Sequence, residues 1–193
     1  MKFRKIIADP PWAFGDALTM SAVKRGSESN YAVLSIAELL ALGPLVSSVC
    51  EDDAVLALWF VSAQVGTALQ VMTAWGFEQK QLWTWVKTKK DGTGLAFGMG
   101  RLARNCTENL LVGTRGKVYR HLKDHGQRNA FFHPATQHSV KPDNVHEMLD
   151  TMFPGEPGLE LFARRQRAGW TTWGGECPGD KRDIRDVLAH RAP

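Results

Sequence analysis

Short apolar runs and helically spaced apolar residues alternate along the chain. Runs of strand length and composition predict strands over 3–8, 54–62, 77–86, 107–114, 159–163 and 169–173. Helical spacing of apolar residues predicts helices over 35–50, 64–75, 141–153 and 180–190. The first helix opens on Ser35, and Glu38 three residues later completes the pattern of a capping box. This alternation predicts a layered α/β fold, and the length of 193 residues suits a single domain over residues 1–193.

Three long polar segments, at 13–30, 87–104 and 117–136, separate the predicted elements. Loops of this length in a compact domain are usually functional or disordered. We expect all three to emerge near the strand ends at which an open α/β sheet binds its ligands. Two adjacent acidic residues, Asp52 and Asp53, predict a turn between the first helix and the second strand.

The composition is that of an ordinary globular protein, with 44% hydrophobic and 23% charged residues. No apolar stretch approaches the roughly 20 residues that span a bilayer. The apolar run after the first five residues is too short for a signal peptide, so we expect a cytoplasmic protein without a membrane partner. Three scattered cysteines without a CxxC pair and six histidines without an HExxH pattern predict neither a metal site nor a disulfide framework.

Basic residues are concentrated in one part of the chain. The formal net charge of +4 predicts nothing by itself, but bases greatly outnumber the two acids, Glu108 and Asp124, between Arg101 and Arg128. The bases are Arg101, Arg104, Arg115, Lys117, Arg120, Lys123 and Arg128. Such a cluster suits a phosphate backbone, and a solvated basic face is about equally compatible with it.

The tetrapeptide Asp9-Pro10-Pro11-Trp12 directly follows the first predicted strand. The carboxylate of Asp9 and the carbonyl of Pro10 can each accept a hydrogen bond, and Trp12 offers a face on which a flat base can stack. Together they would hold an aryl amine by both of its hydrogens and draw its nitrogen toward the tetrahedral geometry of a nucleophile. Catalysis of this kind rests on positioning and needs no activated side-chain nucleophile. The four residues alone are also compatible with an ordinary turn.

The same tetrapeptide resembles the catalytic motif of methyltransferases that modify adenine N6 or cytosine N4, and its tryptophan resembles the adenine N6 branch, the MT-A70 family. The cytosine N4 branch usually begins this motif with serine, where this chain has Asp9. Further segments resemble the family in the same order: Tyr31 to Leu39, Leu58-Trp59, Ala74 to Phe77, Trp85 to Lys87, Gly98 to Gly100, Thr107-Glu108, Leu111 to Gly116, His138 to Asp143, Leu159 to Arg164 and Gly169 to Glu176. The resemblance covers roughly residues 3–176, which disfavours an α/β domain without methyl transfer.

The resemblance implies a Rossmann-like methyltransferase fold with a mostly parallel sheet, helices on both faces and a permuted order, in which the catalytic strand comes first and the cofactor strand late. It implies S-adenosylmethionine as the cofactor. Lys141 would contact the carboxylate of this cofactor, Phe162 would line its adenosine and Arg164 would lie near its ribose. The further cofactor residues implied are Ile7 and Ala8 through backbone groups, Asp9, Glu160 and Glu176. Gly175 stands where the family often has asparagine, so one cofactor contact is missing.

The resemblance also implies how the substrate binds. The catalytic residues would be Asp9, Pro10, Pro11 and Trp12, and the substrate would contact Trp12, Tyr31, Arg104 and Asn105. Tyr31 is also compatible with simple packing of the first loop. Glu108 is a carboxylate in an otherwise apolar strand, so it needs a partner and is expected to order the floor of the site. Four tryptophans are expected to belong to the core rather than to bind the base: Trp59, Trp75, Trp83 and Trp85.

A catalytic turn cannot reach a base inside a duplex, so the target base must be flipped out or single-stranded. We expect DNA as the substrate, because the chain is as compact as the short prokaryotic and phage-type members of the family. RNA is the first alternative. A catalytically inactive subunit that binds nucleic acid is the second, which the departure at Gly175 favours and the intact Asp9-Pro10-Pro11-Trp12 motif disfavours. A homodimer or a partner subunit is compatible with each of these.

Overall fold

The computed structural model describes residues 1–13, 33–100, 102–135, 140–175 and 177. The strands in these ranges are β1 (Phe3–Ala8), β2 (Cys50–Phe60), β3 (Glu78–Thr88), β4 (Thr107–Arg115), β5 (Ala130–Pro134), β6 (Gly158–Leu161) and β7 (Trp170–Trp173). The α-helices are α1 (Ile36–Ala41), α2 (Gly43–Val49), α3 (Val65–Ala74) and α4 (Asn144–Met152), with short 3-10 helices at Ser62–Gln64 and Val118–Arg120. Within the described ranges, no helix is long and apolar enough to cross a membrane.

The strands form one sheet in the order β5-β3-β4-β2-β1-β6-β7. Four neighbouring pairs are parallel, namely β1 with β2, β1 with β6, β6 with β7 and β3 with β5, whereas β4 is antiparallel to both β2 and β3. The carboxyl ends of the parallel strands therefore meet at one edge of the sheet, where β4 begins rather than ends. In an open α/β sheet this carboxyl edge is the usual place for a ligand.

Helices cover both faces of this sheet. Successive residues of β1 point to opposite faces, so that Ile6 belongs to the core beneath α1, α2 and α3, and Ile7 belongs to the core beneath α4. Burial on both faces explains why the end of β1, Ile6 to Ala8, and the second half of β2 are continuous apolar runs. The fold is thus the predicted α/β class, a mostly parallel sheet with helices on both faces, consistent with a Rossmann-like methyltransferase fold. The permuted order of the catalytic and cofactor strands stays a prediction.

The capping box predicted at Ser35 is confirmed. The backbone N–H of Ser35 donates to Glu38 Oε2 at 2.8 Å, and the backbone N–H of Glu38 donates to Ser35 Oγ at 3.3 Å. The single helix predicted over 35–50 is instead divided at Leu42 into α1 and α2. Pro44, in the first turn of α2, has no N–H with which to continue the hydrogen bonds of α1, so the helix restarts there.

Two other local predictions were wrong. Asp52 and Asp53 do not form a turn, because they lie inside β2, on its partly exposed first residues. The segment predicted as a loop over 117–136 contains β5, a five-residue strand at the edge of the sheet. Its side chains are mostly half-buried or exposed, so its sequence lacks the apolar pattern that marks a central strand. The predicted helix over 180–190 and most of the loop over 13–30 lie outside the described residues.

The segment that follows β4 starts at the edge opposite the carboxyl edge, because β4 runs antiparallel to its neighbours. The backbone N–H of Lys117 donates to Asp53 Oδ1 at 2.5 Å, and the ring nitrogens of His121 lie 3.5 Å from Asp53 and 3.4 Å from Glu156. Asp53 and Glu156 both lie near the amino ends of their strands. The prediction that all three polar loops emerge at the ligand-binding edge is therefore wrong for this one.

Candidate active site

A cleft of about 950 Å³ opens at the carboxyl edge, in the size range of small-molecule sites. It lies where β1, β2 and β3 end and where β4 begins. Polar side chains from segments far apart in the sequence line it, namely Asp9, Lys87, Asn105, Glu108, Lys141 and Arg164. The topology thus brings together four of the predicted polar site residues and Glu108, the expected floor residue, and adds Lys87.

The turn Asp9-Pro10-Pro11-Trp12 leaves β1 at the floor of this cleft. The N–H of Trp12 donates to the carbonyl of Pro10 at 2.9 Å, and the N–H of Leu34 donates to the carbonyl of Pro11 at 2.9 Å. With two prolines and these two hydrogen bonds, the turn is fixed before any ligand arrives. The carbonyl of Pro10 keeps a second lone pair with which it can accept another hydrogen bond.

Trp12 itself is anchored in the core, with 5% of its surface exposed. Its indole Nε1–H donates to the carbonyl of Trp59 at 3.0 Å, which joins the turn to the end of β2. Part of Trp12 still lines the cleft, so stacking of a base against it stays a prediction. The expected core positions of Trp59, Trp75, Trp83 and Trp85 are confirmed, because each is at most 3% exposed. Trp59 and Trp85 also line the cleft, so the expectation that they do not bind the base stays a prediction.

Four charged side chains form a chain of ion pairs across the cleft. Lys141 Nζ lies 2.9 Å from Asp9 Oδ2 and 3.3 Å from Glu108 Oε2, and Lys87 Nζ lies 2.5 Å from Glu108 Oε1. Burial alone would lower the pKa of Lys141, but the carboxylates of Asp9 and Glu108 raise that pKa above its usual value. Burial would likewise raise the pKa of Glu108, but the ammonium groups of Lys141 and Lys87 hold it below its usual value. Glu108 and Lys141 are therefore charged at neutral pH.

Two buried tryptophans support these ammonium groups. Lys141 Nζ lies 5.3 Å from the centre of the Trp59 ring, and Lys87 Nζ lies 4.9 Å from the centre of the Trp85 ring. Lys87 was not predicted as a site residue. A signal was present, since Lys87 and Glu108 carry opposite charges next to apolar parts of two strands. Only the pairing of β3 with β4 places them side by side.

The predicted cofactor residues lie around β1 and β6. Ile7 and Ala8 are buried and pair with β2 on one side and β6 on the other. Glu160 Oε2 is 2.9 Å from Nε2 of His146, a buried residue of α4 that the sequence analysis did not single out. Phe162 directly follows β6 with a φ of 62°, a left-handed conformation that is rare for an aromatic residue and found mostly at functional turns.

The ends of β6 and β7 approach each other closely beyond Phe162. The N–H of Ala163 donates to the carbonyl of Trp173 at 3.0 Å, and a Cβ on Gly174 would lie 2.0 Å from the carbonyl oxygen of Ala163. Gly174 is therefore required by the packing. At Gly175, by contrast, a Cβ would meet no atom of the described residues within 4 Å, so contacts within that part of the chain do not explain the departure from the family pattern there.

The predicted substrate residues are only partly described. Asn105 lines the cleft, and Arg104 lies at its rim, with its guanidinium carbon 4.5 Å from the centre of the Phe97 ring. Tyr31 and Glu176 lie outside the described residues, so nothing here tests the roles predicted for them.

Comparison with known proteins gives relatives over nearly the whole chain. A Mycoplasma protein, the Type II methyltransferase M.MunI, is 31% identical over 95% of this chain and 81% of its own length. The N6-methyladenosine RNA methyltransferase MTA1 of Cryphonectria parasitica is 31% identical over 90% of this chain and 51% of its own length. The human N(6)-adenosine-methyltransferase catalytic subunit METTL3 is 26% identical over 97% of this chain and 30% of its own length.

The match to a family profile is equally extensive. The profile of MT-A70 matches residues 3–176, which include the Asp9 turn, Lys87, Glu108, Lys141 and the strands β6 and β7. The matched range thus contains every element that lines the cleft. The chain belongs to the MT-A70 family, whose members include adenine N6-methyltransferases.

Proposed function

We propose that this protein transfers a methyl group from S-adenosylmethionine to the N6 amine of adenine in DNA, with the target base flipped out or single-stranded. The observation that carries the proposal is the Asp9 carboxylate, which a rigid turn and Lys141 hold at the floor of the cleft. It is an acceptor fixed in place before the substrate binds, as catalysis by positioning requires.

The groups around the carboxyl edge suit this cofactor. An ammonium, that of Lys141, suits the carboxylate of the amino-acid part. A carboxylate, that of Glu160, suits ribose hydroxyls, and the ring of Phe162 suits the adenine ring. The formal charges of Lys87, Lys141, Asp9 and Glu108 sum to zero, so the site carries no excess positive charge that would repel this cationic cofactor. When bound, S-adenosylmethionine supplies a methyl group made electrophilic by the sulfonium charge.

The chain itself prepares the nucleophile. Oδ2 of Asp9 accepts a hydrogen bond from Lys141, which leaves Oδ1 to accept one hydrogen of the adenine amine. The second lone pair of the Pro10 carbonyl accepts the other hydrogen. Held in this way, the amine nitrogen loses conjugation with the ring and presents its lone pair. Glu108 and Lys87 keep Lys141 in place and so act as positioning residues.

A base that is stacked in a duplex cannot reach this floor, because the cleft is walled by residues 96–99, by Asn105 and by Val140. The proposal therefore includes extrusion of the base or a single-stranded substrate. DNA is proposed over RNA because the relative matched over most of both lengths is a Type II methyltransferase, whereas MTA1, which is named for RNA, is matched over 51% of its length.

The experiment offers the purified protein labelled S-adenosylmethionine and three polymers of the same sequence: single-stranded DNA, duplex DNA and RNA. Cofactor binding is measured in parallel by calorimetry. We expect transfer to DNA, with N6-methyladenine as the product found by nucleoside mass spectrometry. Transfer to RNA alone would contradict the substrate and leave the chemistry in place. Failure to bind the cofactor would contradict the proposed methyltransferase activity and support the alternative of an inactive subunit that binds nucleic acid.

A further inference from the structure

Exposed apolar side chains are concentrated at the rim of the cleft. Leu95 is 52% exposed, Phe97 is 75%, Met99 is 80% and Leu102 is fully exposed. Phe97 and Met99 also line the cleft itself. A group of large apolar side chains this exposed, within eight residues of one loop, marks an interaction surface rather than ordinary surface composition.

Backbone hydrogen bonds hold this loop, residues 95–104, to the sheet, and the structure describes all of its residues except Arg101. The N–H of Ala96 donates to the carbonyl of Lys87 at 2.8 Å, and the N–H of Gly98 donates to the carbonyl of Asn105 at 3.1 Å. Gly98 pairs with Asn105 so closely that a Cβ there would lie 2.2 Å from the Asn105 oxygen. The loop is thus a hairpin fixed to the ends of β3 and β4. Its apolar side chains point outward from a fixed backbone.

The charges around the hairpin are mainly positive. Arg104 is exposed and stacks on the ring of Phe97, and Lys89 and Lys90 are exposed in the turn just before it. That turn also holds one acid, Asp91, whose carboxylate accepts hydrogen bonds from the backbone and hydroxyl of Thr93 and stays charged, so three bases face one acid. An apolar surface with a cationic border is complementary to nucleic acid, whose bases present flat apolar faces beside anionic phosphates.

We propose that the 95–104 hairpin is a wedge that binds the bases next to the target base. Phe97 and Met99 stack on the base faces that are bared when the target leaves the stack, and Arg104 neutralises an adjacent phosphate. Removing a base from a stack costs free energy, and apolar side chains that enter the gap offset this cost. The inference rests on the proposed function for the identity of the target, but the binding that it predicts is measurable without any methyl transfer.

The test measures binding of fluorescent single-stranded and duplex DNA by anisotropy at several salt concentrations. We expect Phe97→Ala to weaken binding about tenfold with an unchanged salt dependence, because it removes stacking and no charge. Phe97→Trp should bind as well as the unchanged protein. Arg104→Gln should weaken binding and also lower the slope of log affinity against log salt. Tyr119→Ala is the control, since Tyr119 is 58% exposed in the 3-10 helix after β4, at the opposite edge of the sheet.

Each outcome separates this inference from the proposed function. If DNA binding depended on Phe97 but no methyl transfer occurred, the result would support the wedge and contradict the proposed methyltransferase activity. Methyl transfer with equal DNA affinity and equal kcat/KM in Phe97→Ala and Tyr119→Ala would overturn the wedge and leave the enzyme in place. Sedimentation velocity measures the oligomeric state of each variant. If Phe97→Ala turned a dimer into a monomer with unchanged DNA affinity, the hairpin would be a contact between two copies of the chain and the wedge would be wrong.

Discussion

Lys141 Nζ lies 2.9 Å from Asp9 Oδ2, although 132 residues separate them in the sequence. Asp9 directly follows β1, an interior strand of the sheet, and Lys141 lies just before α4, which covers one face of that sheet. Their contact therefore makes the position of the Asp9-Pro10-Pro11-Trp12 turn depend on the packing of α4. Lys141 also contacts Glu108. Because both carboxylates share this ammonium group, a substitution of either one changes the ion pair of the other.

Replacing Lys87 with methionine should slow methyl transfer by about tenfold. Glu108 would keep Lys141 as its charged partner in the cleft, and Lys141 would then be drawn away from Asp9. The measurement is kcat and KM with a DNA that the unchanged protein methylates, with most of the loss expected in kcat. Lys2→Met is the matched control, because Lys2 is exposed just before β1, at the edge of the sheet opposite the cleft and outside the ion-pair chain. Equal kinetics in the two variants would refute the positioning role.

Glu108→Gln should make the free energy of unfolding depend less on pH in the acidic range. The pKa of Glu108 in the folded protein lies below 4.5, its usual value, so its charged form stabilises the fold above that pH. As the pH falls through the folded pKa, this contribution is lost. Urea unfolding between about pH 3 and pH 6 should therefore show a steeper loss of unfolding free energy in the unchanged protein than in Glu108→Gln. Glu147→Gln, at an exposed position of α4, should follow the unchanged protein, and equal slopes in all three would contradict the prediction.

His146→Phe should weaken cofactor binding several-fold with little effect on kcat. Nδ1 of His146 is buried without a hydrogen-bond partner among the described residues, so the proton belongs on Nε2, which donates to Glu160. Phenylalanine fills the same space against Trp170 but cannot orient the carboxylate. Calorimetry measures the affinity, and nitrogen NMR of the unchanged protein reports the tautomer. His146→Gln, which keeps an N–H donor, should recover part of the affinity. If His146→Phe bound the cofactor normally, Glu160 would not need this partner.

Gly174→Ala and Gly175→Ala should differ sharply although the residues are adjacent. The first places a Cβ against the carbonyl of Ala163 and should lower the free energy of unfolding by about 1–3 kcal/mol. The second enters open space and should stay within about 0.5 kcal/mol of the unchanged protein in urea unfolding.

Gly175→Asn extends the same comparison to function. The position has room for the side chain, and we expect it to supply the missing family contact and tighten cofactor binding several-fold. A stable Gly175→Asn variant with unchanged affinity would show that the contact implied by the family resemblance does not exist in this chain.

The sequence was most informative where one local pattern determined the structure. β1 has the bounds that its apolar run predicted, and the capping box at Ser35 forms as expected. The turn Asp9-Pro10-Pro11-Trp12 follows β1 directly, so its place at a strand end was also predictable. Local patterns failed where the deciding interaction was distant. The direction of β4 depends on its pairing with β2 and β3. Because β4 is antiparallel to both, the segment after Arg115 starts at the edge of the sheet opposite the carboxyl edge.

The same reason accounts for the residues that were missed. Lys87 becomes part of the site through its cross-strand partner Glu108, and His146 does so through Glu160 on another element. β5 is an edge strand whose half-exposed residues carry little apolar pattern of their own. Resemblance to the family supplied Lys141 and Glu160, which spacing and composition alone would not have selected.

The most direct test of the account is nucleoside mass spectrometry of DNA treated with the unchanged protein and with Asp9→Asn, alongside cofactor calorimetry. Asp91→Asn is the matched control, because Asp91 is exposed in the turn after β3. We predict N6-methyladenine with the unchanged protein and with Asp91→Asn. In Asp9→Asn we predict a rate lower by a hundredfold or more, with cofactor affinity within about threefold of normal. Equal rates of N6-methyladenine formation in Asp9→Asn and Asp91→Asn would contradict the claim that the Asp9 carboxylate holds the reacting amine.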